Sequence, residues 1–387
     1  MQGHSTGLLT GGDAFGGRRV KILHLLPQLR LGAGRFVVDL ATQQARQGHA
    51  VRVLVSADAE PPFTTDPALV AELRAAGVPV DVAGDFFRRR VASLLEAGRI
   101  VRTIAGAGEW LAHAHTAIAA AVARRAGASA VVGTCHGVAP DRPEAMNVQD
   151  LLAWSACDRV TTPSQAWARR LSSEFGVPDV AVVPVGLDLT RYPAVERRPG
   201  GAALRVVCVA EQTHRKGLDL LIEAVARAVR AGLDVTCHFF GRGDAAAELR
   251  RIARLADPNG GRFIFAGHVA EPYTRLGAFD LFVLPSRADN QPVAAIEAML
   301  AGLPLLVTDV GGLGELVRGS DGGWVVHPED AGALTRALAS AARAGREALE
   351  QCGRRAAVYA RQTFDVARTA RRFGALYAEA LRSTVAA

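Results

Sequence analysis

The most constraining feature of this 387-residue chain is a regular alternation of short apolar runs with helical patterns. Residues 20–27 form a mostly apolar strand candidate, residues 35–47 place apolar side chains on one helical face, and residues 51–55 form the next strand candidate. Such a strand–helix–strand unit predicts parallel strands joined by a right-handed crossover. Further strands are predicted at residues 130–134, 159–162 and 180–183.

The alternation stops over residues 193–203, which are rich in Pro, Gly and charged residues, and then resumes. We interpret this segment as an interdomain linker, because 387 residues exceed what one hydrophobic core usually organises. Strands that read as buried on both faces predict two doubly wound, Rossmann-like α/β domains facing a central cleft. The second series comprises predicted strands at 204–209, 235–240, 263–266, 281–284 and 305–308, with helices at 217–231 and 293–300.

These patterns predict a division of the chain into five parts. They are a disordered tail (1–17), a first domain (18–192), the linker (193–203), a second domain (204–364) and a C-terminal segment (365–387). The last segment contains an amphipathic helix, which we expect to pack across both domains.

Composition excludes several classes of protein. The net charge of +7 is spread over both halves and only 6% of residues are aromatic, whereas a nucleic-acid-binding protein concentrates basic and aromatic groups in one patch. The five cysteines include no Cys-x-x-Cys pair, which disfavours a zinc cage or a disulfide framework and favours a reducing cytoplasm. No apolar run reaches the roughly 18 residues of a membrane span. We therefore expect a cytoplasmic protein that binds no nucleic acid.

One basic-aromatic segment raises a weaker hypothesis. Residues 86–90 read Phe-Phe-Arg-Arg-Arg, a pattern suited to weak peripheral contact with an anionic membrane surface, here the inner face. A solvated loop is the favoured alternative.

Two glycines follow the first predicted strand. Ligands of doubly wound domains bind beyond the carboxyl ends of the strands, and Gly32 and Gly34 lie there, just before the predicted first helix. Glycines at this place let a backbone approach an anion closely, although a simple tight turn explains them equally well. Position 37, where a dinucleotide-binding fingerprint has its third glycine, is Val37, which disfavours a nicotinamide cofactor.

Three histidines also follow apolar runs. His113 and His115 have a spacing that suggests a metal site, but the sequence offers no third ligand, so we expect no metal. A structural role for His113 is at least as well supported. His136, which precedes Gly137 at a strand end, is better placed to face the cleft.

The second half carries the densest group of candidate residues. Lys216, one of only two lysines, lies beside Arg215 at a helix start, where cations and free amides favour a diphosphate. Asp289 and Glu297 lie eight positions apart near another helix start. Carboxylates there are suited to the hydroxyls of ribose and hexose, because each accepts several hydrogen bonds. A helix-capping Asp289 with a coincidental spacing is the alternative.

The order and spacing of these segments resemble the retaining, GT-B-fold glycosyltransferases of family four (glycosyl transferases group 1) over roughly residues 20–380. The matching segments are residues 183–188, 215–221, 239–243, 265–269, 280–286, 296–304 and 311–315. The resemblance implies an enzyme of polysaccharide biosynthesis. It would move a hexosyl group from a nucleotide-diphosphate sugar to an acceptor hydroxyl, with retention and without a metal or other cofactor. A bacterial origin is indicated separately by composition, because the preference for Arg over Lys and the heavy use of Ala are typical of a GC-rich bacterial genome.

The resemblance also implies roles for individual residues. Lys216, with Arg215 beside it, clamps the diphosphate, Glu297 holds the ribose and Asp289 contacts the hexose. The remaining residues expected around the donor are His136, Asn290 and Gln291 near the hexose, Gly32 and Gly34 on the phosphate side, Gly241, and the backbone at His268 and Val269 near the base.

Two departures from the family pattern leave alternatives open. Where the family commonly has Arg five residues before the clamping lysine, this chain has Glu211, so either Glu211 turns away or Arg215 replaces the lost charge. Asp289 stands where Glu is usual, which we expect to narrow the sugar preference. Two alternative functions remain: a catalytically degenerate protein that binds a nucleotide sugar as a sensor or partner subunit, and a sugar epimerase. The acceptor, nucleotide, sugar and oligomeric state are not determined by the sequence.

Overall fold

The computed structural model describes residues 15, 18–57, 64–85, 90–137, 144–196, 201 and 203–385. In this part of the chain, two parallel β-sheets each carry helices on both faces, which confirms the predicted pair of doubly wound domains. The predicted tail over 1–17 lies outside the described residues except for Phe15, whose ring packs edge-on against His49. Residues 86–89 of the basic-aromatic segment also lie outside them.

The first sheet contains seven described strands in the order β3-β2-β1-β4-β5-β6-β7. They are β1 (Lys21–Leu26), β2 (Ala50–Val55), β3 (Val80–Val82), β4 (Leu111–Ala114), β5 (Ala130–Thr134), β6 (Arg159–Thr162) and β7 (Ala181–Val182). Its helices are α1 (Leu31–Arg46), α2 (Pro67–Ala75), α3 (Val91–Ala105), α4 (Ala117–Arg125), α5 (Glu144–Trp154) and α6 (Gln165–Phe175).

The second sheet contains six described strands in the order β10-β9-β8-β11-β12-β13. They are β8 (Leu204–Val209), β9 (Val235–Phe240), β10 (Phe263–Gly267), β11 (Leu281–Leu284), β12 (Leu305–Thr308) and β13 (Gly323–Val326). The remaining helices are α7 (Leu218–Arg230), α8 (Ala246–Ala256), α9 (Val293–Leu300), α10 (Leu313–Ser320), α11 (Ala331–Thr363) and α12 (Val366–Val385). Short 3₁₀ segments in the described part of the chain are Leu189–Arg191, His214–Lys216 and Pro272–Ala278.

Both sheets reverse their strand order at one place. The reversal falls between β1 and β4 in the first sheet and between β8 and β11 in the second. Loops diverge to opposite faces at such a switch point and leave a crevice beyond the carboxyl ends of the strands. The loops that carry most of the candidate residues follow these four strands or their neighbours.

Burial explains why the strands read as apolar in the sequence. Every residue of β5, β11 and β12 is buried, as expected for parallel strands covered by helices on both faces. Side-chain oxygens of Thr116, Ser164 and Asp330 cap α4, α6 and α11 by accepting a hydrogen bond from a first-turn amide.

The last helix returns to the first domain. Leu187 donates its amide to the Phe364 carbonyl and accepts from the Val366 amide, at 2.8 and 3.0 Å. From there α12 packs against α1 and β5 and buries Phe373 and Tyr377. Among the described residues, no helix is both long and apolar enough to cross a bilayer.

The first helix begins earlier than predicted. It starts at Leu31 rather than at residue 35, so Gly32 and Gly34 lie in its first turn and not in a loop before it. The amide of Gly34 already donates to the Arg30 carbonyl at 2.9 Å. The pattern misled because glycines lower helix propensity, whereas here they allow close packing: a Cβ at Gly32 would lie 3.1 Å from Val293 Cγ2.

Gly217 provides a test of how the second domain holds its first loop. Its φ is 65°, and a Cβ would lie 2.1 Å from the Pro285 carbonyl oxygen. Gly176 has a similar φ of 61° with nothing within 4 Å of such a Cβ. We expect Gly176→Ala to lower the free energy of unfolding by about 1 kcal/mol, the cost of the left-handed backbone. Gly217→Ala adds a backbone clash and should cost about 3 kcal/mol. Equal losses in denaturant unfolding would contradict this close approach.

Candidate functional site

The loop after β11 joins the two domains. The Asn290 side chain donates from Nδ2 to the Cys135 carbonyl and to Thr162 Oγ1, at 3.2 and 3.1 Å, and its Oδ1 accepts from Ser164 Oγ at 2.6 Å. Gln291 accepts from the Val185 amide at 2.7 Å. These polar side chains are therefore used to dock the loop on the carboxyl ends of β5 and β6. The family resemblance placed Asn290 and Gln291 near the hexose, and the sequence did not predict this contact between the domains.

The same loop brings Asp289 to Lys216. Lys216 Nζ lies 2.6 Å from Asp289 Oδ2, which also accepts from Ser286 Oγ at 3.0 Å. Arg215 donates to the Ala288 carbonyl at 3.1 Å, and its guanidinium lies 3.8 Å from Asp289 Oδ1. Two residues that the sequence assigned to different parts of a donor are therefore direct partners. An anionic ligand would compete with Asp289 for the amine of Lys216, a residue that is only 8% exposed.

Glu297 lies in the second turn of α9, against the first domain. Its Oε1 accepts from the Tyr192 hydroxyl at 3.1 Å. Burial raises the pKa of Glu297 to about 7, opposed by the Tyr192 hydrogen bond and by the charge of Arg35. The carboxyl group is therefore divided between its neutral and charged forms near neutral pH.

Arg35 and Asp39 form a second charged group beside Glu297. Arg35 NH2 lies 3.0 Å from Asp39 Oδ1, and the Asp188 amide donates to Asp39 Oδ2 at 3.0 Å. Burial raises the pKa of Asp39 to about 6, although Arg35 opposes the shift. Sequence reasoning missed Asp39 and Tyr192. The available signal was a charged residue at i+4 from Arg35, next to the apolar face of α1.

Glu211 faces the first domain. Its Oε1 accepts from Arg30 NH2 at 3.0 Å, and both side chains are partly exposed. Arg215 meanwhile remains on Ala288 and Asp289. Of the two alternatives, the structure therefore favours a Glu211 that turns away, and it adds a cation from the opposite domain at this edge of the cleft.

The remaining predicted residues lie on neighbouring loops. The Gly241 amide, after β9, donates to the Gly267 carbonyl at 2.7 Å, and a Cβ there would lie 1.9 Å from the Ala210 carbonyl oxygen. Beyond Gly267, His268 is exposed, while Val269 is half-buried against the hydrophobic core. The ends of β8, β9 and β10 thus meet at one edge of the second sheet.

His24 is a third possible metal ligand beside His113 and His115, and the sequence analysis did not identify it. It lies inside β1, in register with His113 of β4, and the ligating nitrogens of His24, His113 and His115 lie within 4.8 Å of one another. Every ring nitrogen of the three already has a hydrogen-bond partner in the protein. The signal was a histidine within an apolar strand run.

The histidines continue to His136, at the end of β5. His136 Nε2 lies 3.0 Å from His115 Nδ1, and His115 Nε2 lies 3.0 Å from His24 Nδ1. Burial lowers the pKa of His24 and of His136 to about 4, and those of His113 and His115 well below their ordinary value. All four rings are therefore neutral at neutral pH, and the arrangement is a hydrogen-bonded network with no ring nitrogen of its inner three left for a metal.

Comparisons with known proteins match both domains. The family model described as Glycosyltransferase Family 4 matches residues 31–191, and the model described as Glycosyl transferases group 1 matches residues 203–343. The chain is 32% identical over 212 residues to a putative colanic acid biosynthesis glycosyltransferase of Salmonella typhimurium, which covers 52% of each protein. It is 28% identical over 193 residues to the glycogen synthase of Mycobacterium tuberculosis, which covers 47% of this chain and 45% of that protein. The chain spans about half the length of these relatives.

Solved structures resemble the whole architecture. A glycosyltransferase of Rickettsia africae superposes with a TM-score of 0.77 at 16% identity and covers 94% of this chain and 99% of its own. Anabaena HepE, solved in complex with UDP and glucose, has a TM-score of 0.75 at 22% identity and covers 94% and 100%. At these identities the likeness is one of fold. Together with the matches to a family model in each domain, it leads to one conclusion: the chain belongs to the glycosyl transferases of group 1 and has the GT-B fold.

Proposed function

We propose that this protein transfers a hexosyl group from a nucleotide-diphosphate sugar to an acceptor hydroxyl, with retention of configuration and without a metal ion. The observation that carries the proposal is the Lys216–Asp289 ion pair, whose two side chains are each 10% exposed and which lies at the switch point of the second sheet beside the first domain. Relatives named for colanic acid and glycogen synthesis favour a saccharide acceptor. A neighbour solved with UDP-glucose favours UDP-sugars as the first donors to test.

Charge development explains why this pair suits the reaction. As the glycosidic bond to the donor breaks, positive charge grows on the sugar ring and negative charge on the departing diphosphate. Lys216 and Arg215 are cations held in place before the reaction, so they stabilise the second charge without reorganising. When the diphosphate takes the amine of Lys216, Asp289 is released to accept hydrogen bonds from the hexose.

The surrounding groups fit the other parts of a donor. Glu297, as a carboxylate, accepts from two ribose hydroxyls, with Tyr192 holding its side chain. His136 lies near the hexose in this arrangement. The departure at Glu211 does not leave an uncompensated negative charge beside the diphosphate, because Arg30 pairs with it across the cleft. That pairing favours an active transferase over a degenerate sugar-binding protein.

The two lysines of the chain provide a matched test of the diphosphate clamp. Lys216→Ala should reduce kcat/KM with the correct donor by about 100-fold or more, because it removes a preorganised cation at the leaving group. Lys21→Ala removes the other lysine, which donates to the Ala105 and Ala107 carbonyls away from the cleft, and should leave turnover within about twofold.

Donor consumption measured with a panel of UDP-, GDP-, ADP- and dTDP-sugars decides the outcome. Wild-type-like turnover in Lys216→Ala would refute the assigned clamp. Binding of a donor by the wild type without transfer, across a broad acceptor panel, would instead support a sensor or partner subunit. A changed sugar formed without any acceptor would indicate an epimerase.

The raised pKa of Glu297 predicts a pH dependence of nucleotide binding. With a pKa of about 7, the carboxylate fraction rises about tenfold between pH 6 and pH 8. If the carboxylate binds the ribose, UDP affinity should rise by about the same factor over this range. Glu297→Gln should abolish that part of the rise while retaining the titration of the UDP phosphate, so titration calorimetry of both proteins isolates the Glu297 contribution. Parallel pH profiles would contradict the ribose assignment.

The same pKa predicts a stability difference with a defined sign. The folded protein holds a proton on Glu297 up to about pH 7, whereas an unfolded glutamate loses it near pH 4.5. Wild-type stability therefore falls as pH rises from about 4.5 to 7, and the loss is complete above pH 7. Glu297→Gln cannot ionise and should gain about 2 kcal/mol over the wild type between pH 5 and pH 8 in denaturant unfolding. A gap that stays constant with pH would show that Glu297 is not buried in this way.

A further inference from the structure

A continuous chain of hydrogen bonds runs from a backbone carbonyl in the first sheet to the cleft. We call it the histidine chain, and its members, in order from the sheet to the cleft, are the Gly133 carbonyl, Thr161, Thr134, His113, Tyr377, Gln44, His24, His115 and His136. The side chains come from four strands of the first sheet or from the residues just after them, from α1 and from α12. All but His136 are less than 4% exposed, so water does not complete their hydrogen bonds.

The direction of the first bonds follows from the Gly133 carbonyl, which can only accept. Thr161 must donate to it, at 3.1 Å, so the Thr161 oxygen accepts from the Thr134 hydroxyl at 2.7 Å. The Thr134 oxygen then accepts from His113 Nε2, at 2.7 Å. A neutral imidazole carries one proton, so His113 Nδ1 is an acceptor. Its donor is the Tyr377 hydroxyl, at 2.7 Å.

The same reasoning continues to the cleft. The Tyr377 oxygen accepts from the Gln44 amide nitrogen at 3.0 Å, which turns the Gln44 oxygen towards His24 Nε2 at 2.7 Å. His24 therefore donates from Nε2 and accepts at Nδ1 from His115 Nε2. His115 in turn accepts at Nδ1 from His136 Nε2. Each neutral ring passes on the direction that it receives.

The histidine chain leaves one nitrogen over at its end. His136 Nδ1 has no hydrogen-bond partner among the described residues, and His136 is the one member that is partly exposed. Its neighbour Gly137 abuts the other domain, since a Cβ there would lie 3.5 Å from Asn290 Cβ. The nitrogen His136 Nδ1 therefore lies at the domain boundary, next to the loop after β11 that carries Asn290.

We propose that the histidine chain holds His136 as its Nε2–H tautomer, so that His136 Nδ1 offers a lone pair to a substrate hydroxyl. Tyr377, on the C-terminal helix, acts as a remote positioning residue, because its hydroxyl transmits the direction to Gln44. The opposite direction would reverse Thr161 as well and would lose its bond to the Gly133 carbonyl. The direction of the histidine chain thus makes His136 Nδ1 a hydrogen-bond acceptor and not a donor.

This inference rests on the proposed function only for the identity of the hydroxyl, which belongs to the transferred sugar or to the acceptor. A hydroxyl can donate a hydrogen bond to the bare Nδ1 of His136 and is thereby oriented. A carbonyl or an ionised phosphate oxygen at the same place has no proton to donate, so His136 Nδ1 favours the hydroxyl. Neutrality of the rings, which the direction requires, is supported by the low pKa of each histidine.

The tautomer can be measured without any substrate. In protein labelled with ¹⁵N-histidine, long-range ¹H–¹⁵N correlation spectra distinguish protonated from bare ring nitrogens, and His136→Gln assigns the His136 signals. At pH 7 we expect a protonated Nε2 and a bare Nδ1 on His136. A protonated Nδ1, alone or with Nε2, would overturn the proposal.

Removing one hydrogen bond of the histidine chain tests whether this network sets the tautomer of His136. Tyr377→Phe frees the Gln44 amide to turn, so His136 should show both tautomers. The control, Tyr359→Phe, removes a hydroxyl of α11 that is not part of the histidine chain, and His136 should keep its single tautomer. Thr161→Val removes the link to Gly133 with little change in volume and should also produce both tautomers. It replaces Tyr377→Phe as the test if the Tyr377 variant does not fold. An unchanged tautomer in a folded Tyr377→Phe or Thr161→Val variant would also overturn the proposal.

Turnover separates this inference from the proposed function. Tyr377→Phe should lower kcat/KM by about threefold to tenfold with the affinity for UDP unchanged, since the chain acts on a sugar or acceptor hydroxyl. Absence of transfer by the wild type would refute the proposed function and leave the spectra valid. A wild-type kcat/KM in a Tyr377→Phe variant with mixed tautomers would refute the role assigned to His136 in the reaction.

Discussion

The docking of Asn290 and Gln291 on the first sheet is the contact on which the rest of the site depends. Asn290 reaches Cys135, Thr162 and Ser164, so both oxygen and nitrogen of one amide are used across the domain boundary. Such a buried and fully satisfied amide costs little when its partners are in place and much when they are missing. It therefore favours one relative placement of the two domains.

That placement sets the surroundings of the charged residues. The peptide that presents Asn290 also presents Asp289 to Lys216, and the helix that follows carries Glu297 to Tyr192 and the Arg35–Asp39 pair. Carboxylates in these two places differ in environment. Asp289 contacts a cation directly, whereas Glu297 accepts a hydrogen bond from a hydroxyl and is desolvated, and burial raises its pKa. Glu297 is therefore close to its titration point near neutral pH.

The C-terminal helix joins the site from a distance. By crossing back onto α1 and β5, α12 inserts Tyr377 between Gln44 and His113, and so closes a hydrogen-bonded network that reaches His136. A helix that packs only through apolar contacts would stabilise the first domain without acting on its polar interior. Here the same residue does both, since its ring is buried and its hydroxyl is bonded on two sides.

Much of the architecture was predictable because it follows from local periodicity. Strands β5, β6, β8, β9, β11 and β12 have the bounds that the apolar runs predict, and so has helix α9. The start of α1 was wrong by four residues, because a glycine's low helix propensity is overridden when close packing on Val293 requires it. The candidate residues were found because lone cations and paired acids at strand ends are visible in a sequence.

The fold class, the family resemblance and the loops in which the chemistry lies follow from local patterns in the amino-acid sequence, because strand burial and residue order are properties of neighbouring positions. The side chains that meet become known from the three-dimensional fold: Lys216 with Asp289, Glu297 with Tyr192, Glu211 with Arg30, and His24 with His115. These partners are separated by tens of residues or more and come from different strands, helices or domains. Their pairing depends on the strand order and on the fit of one domain against the other, which no local pattern encodes.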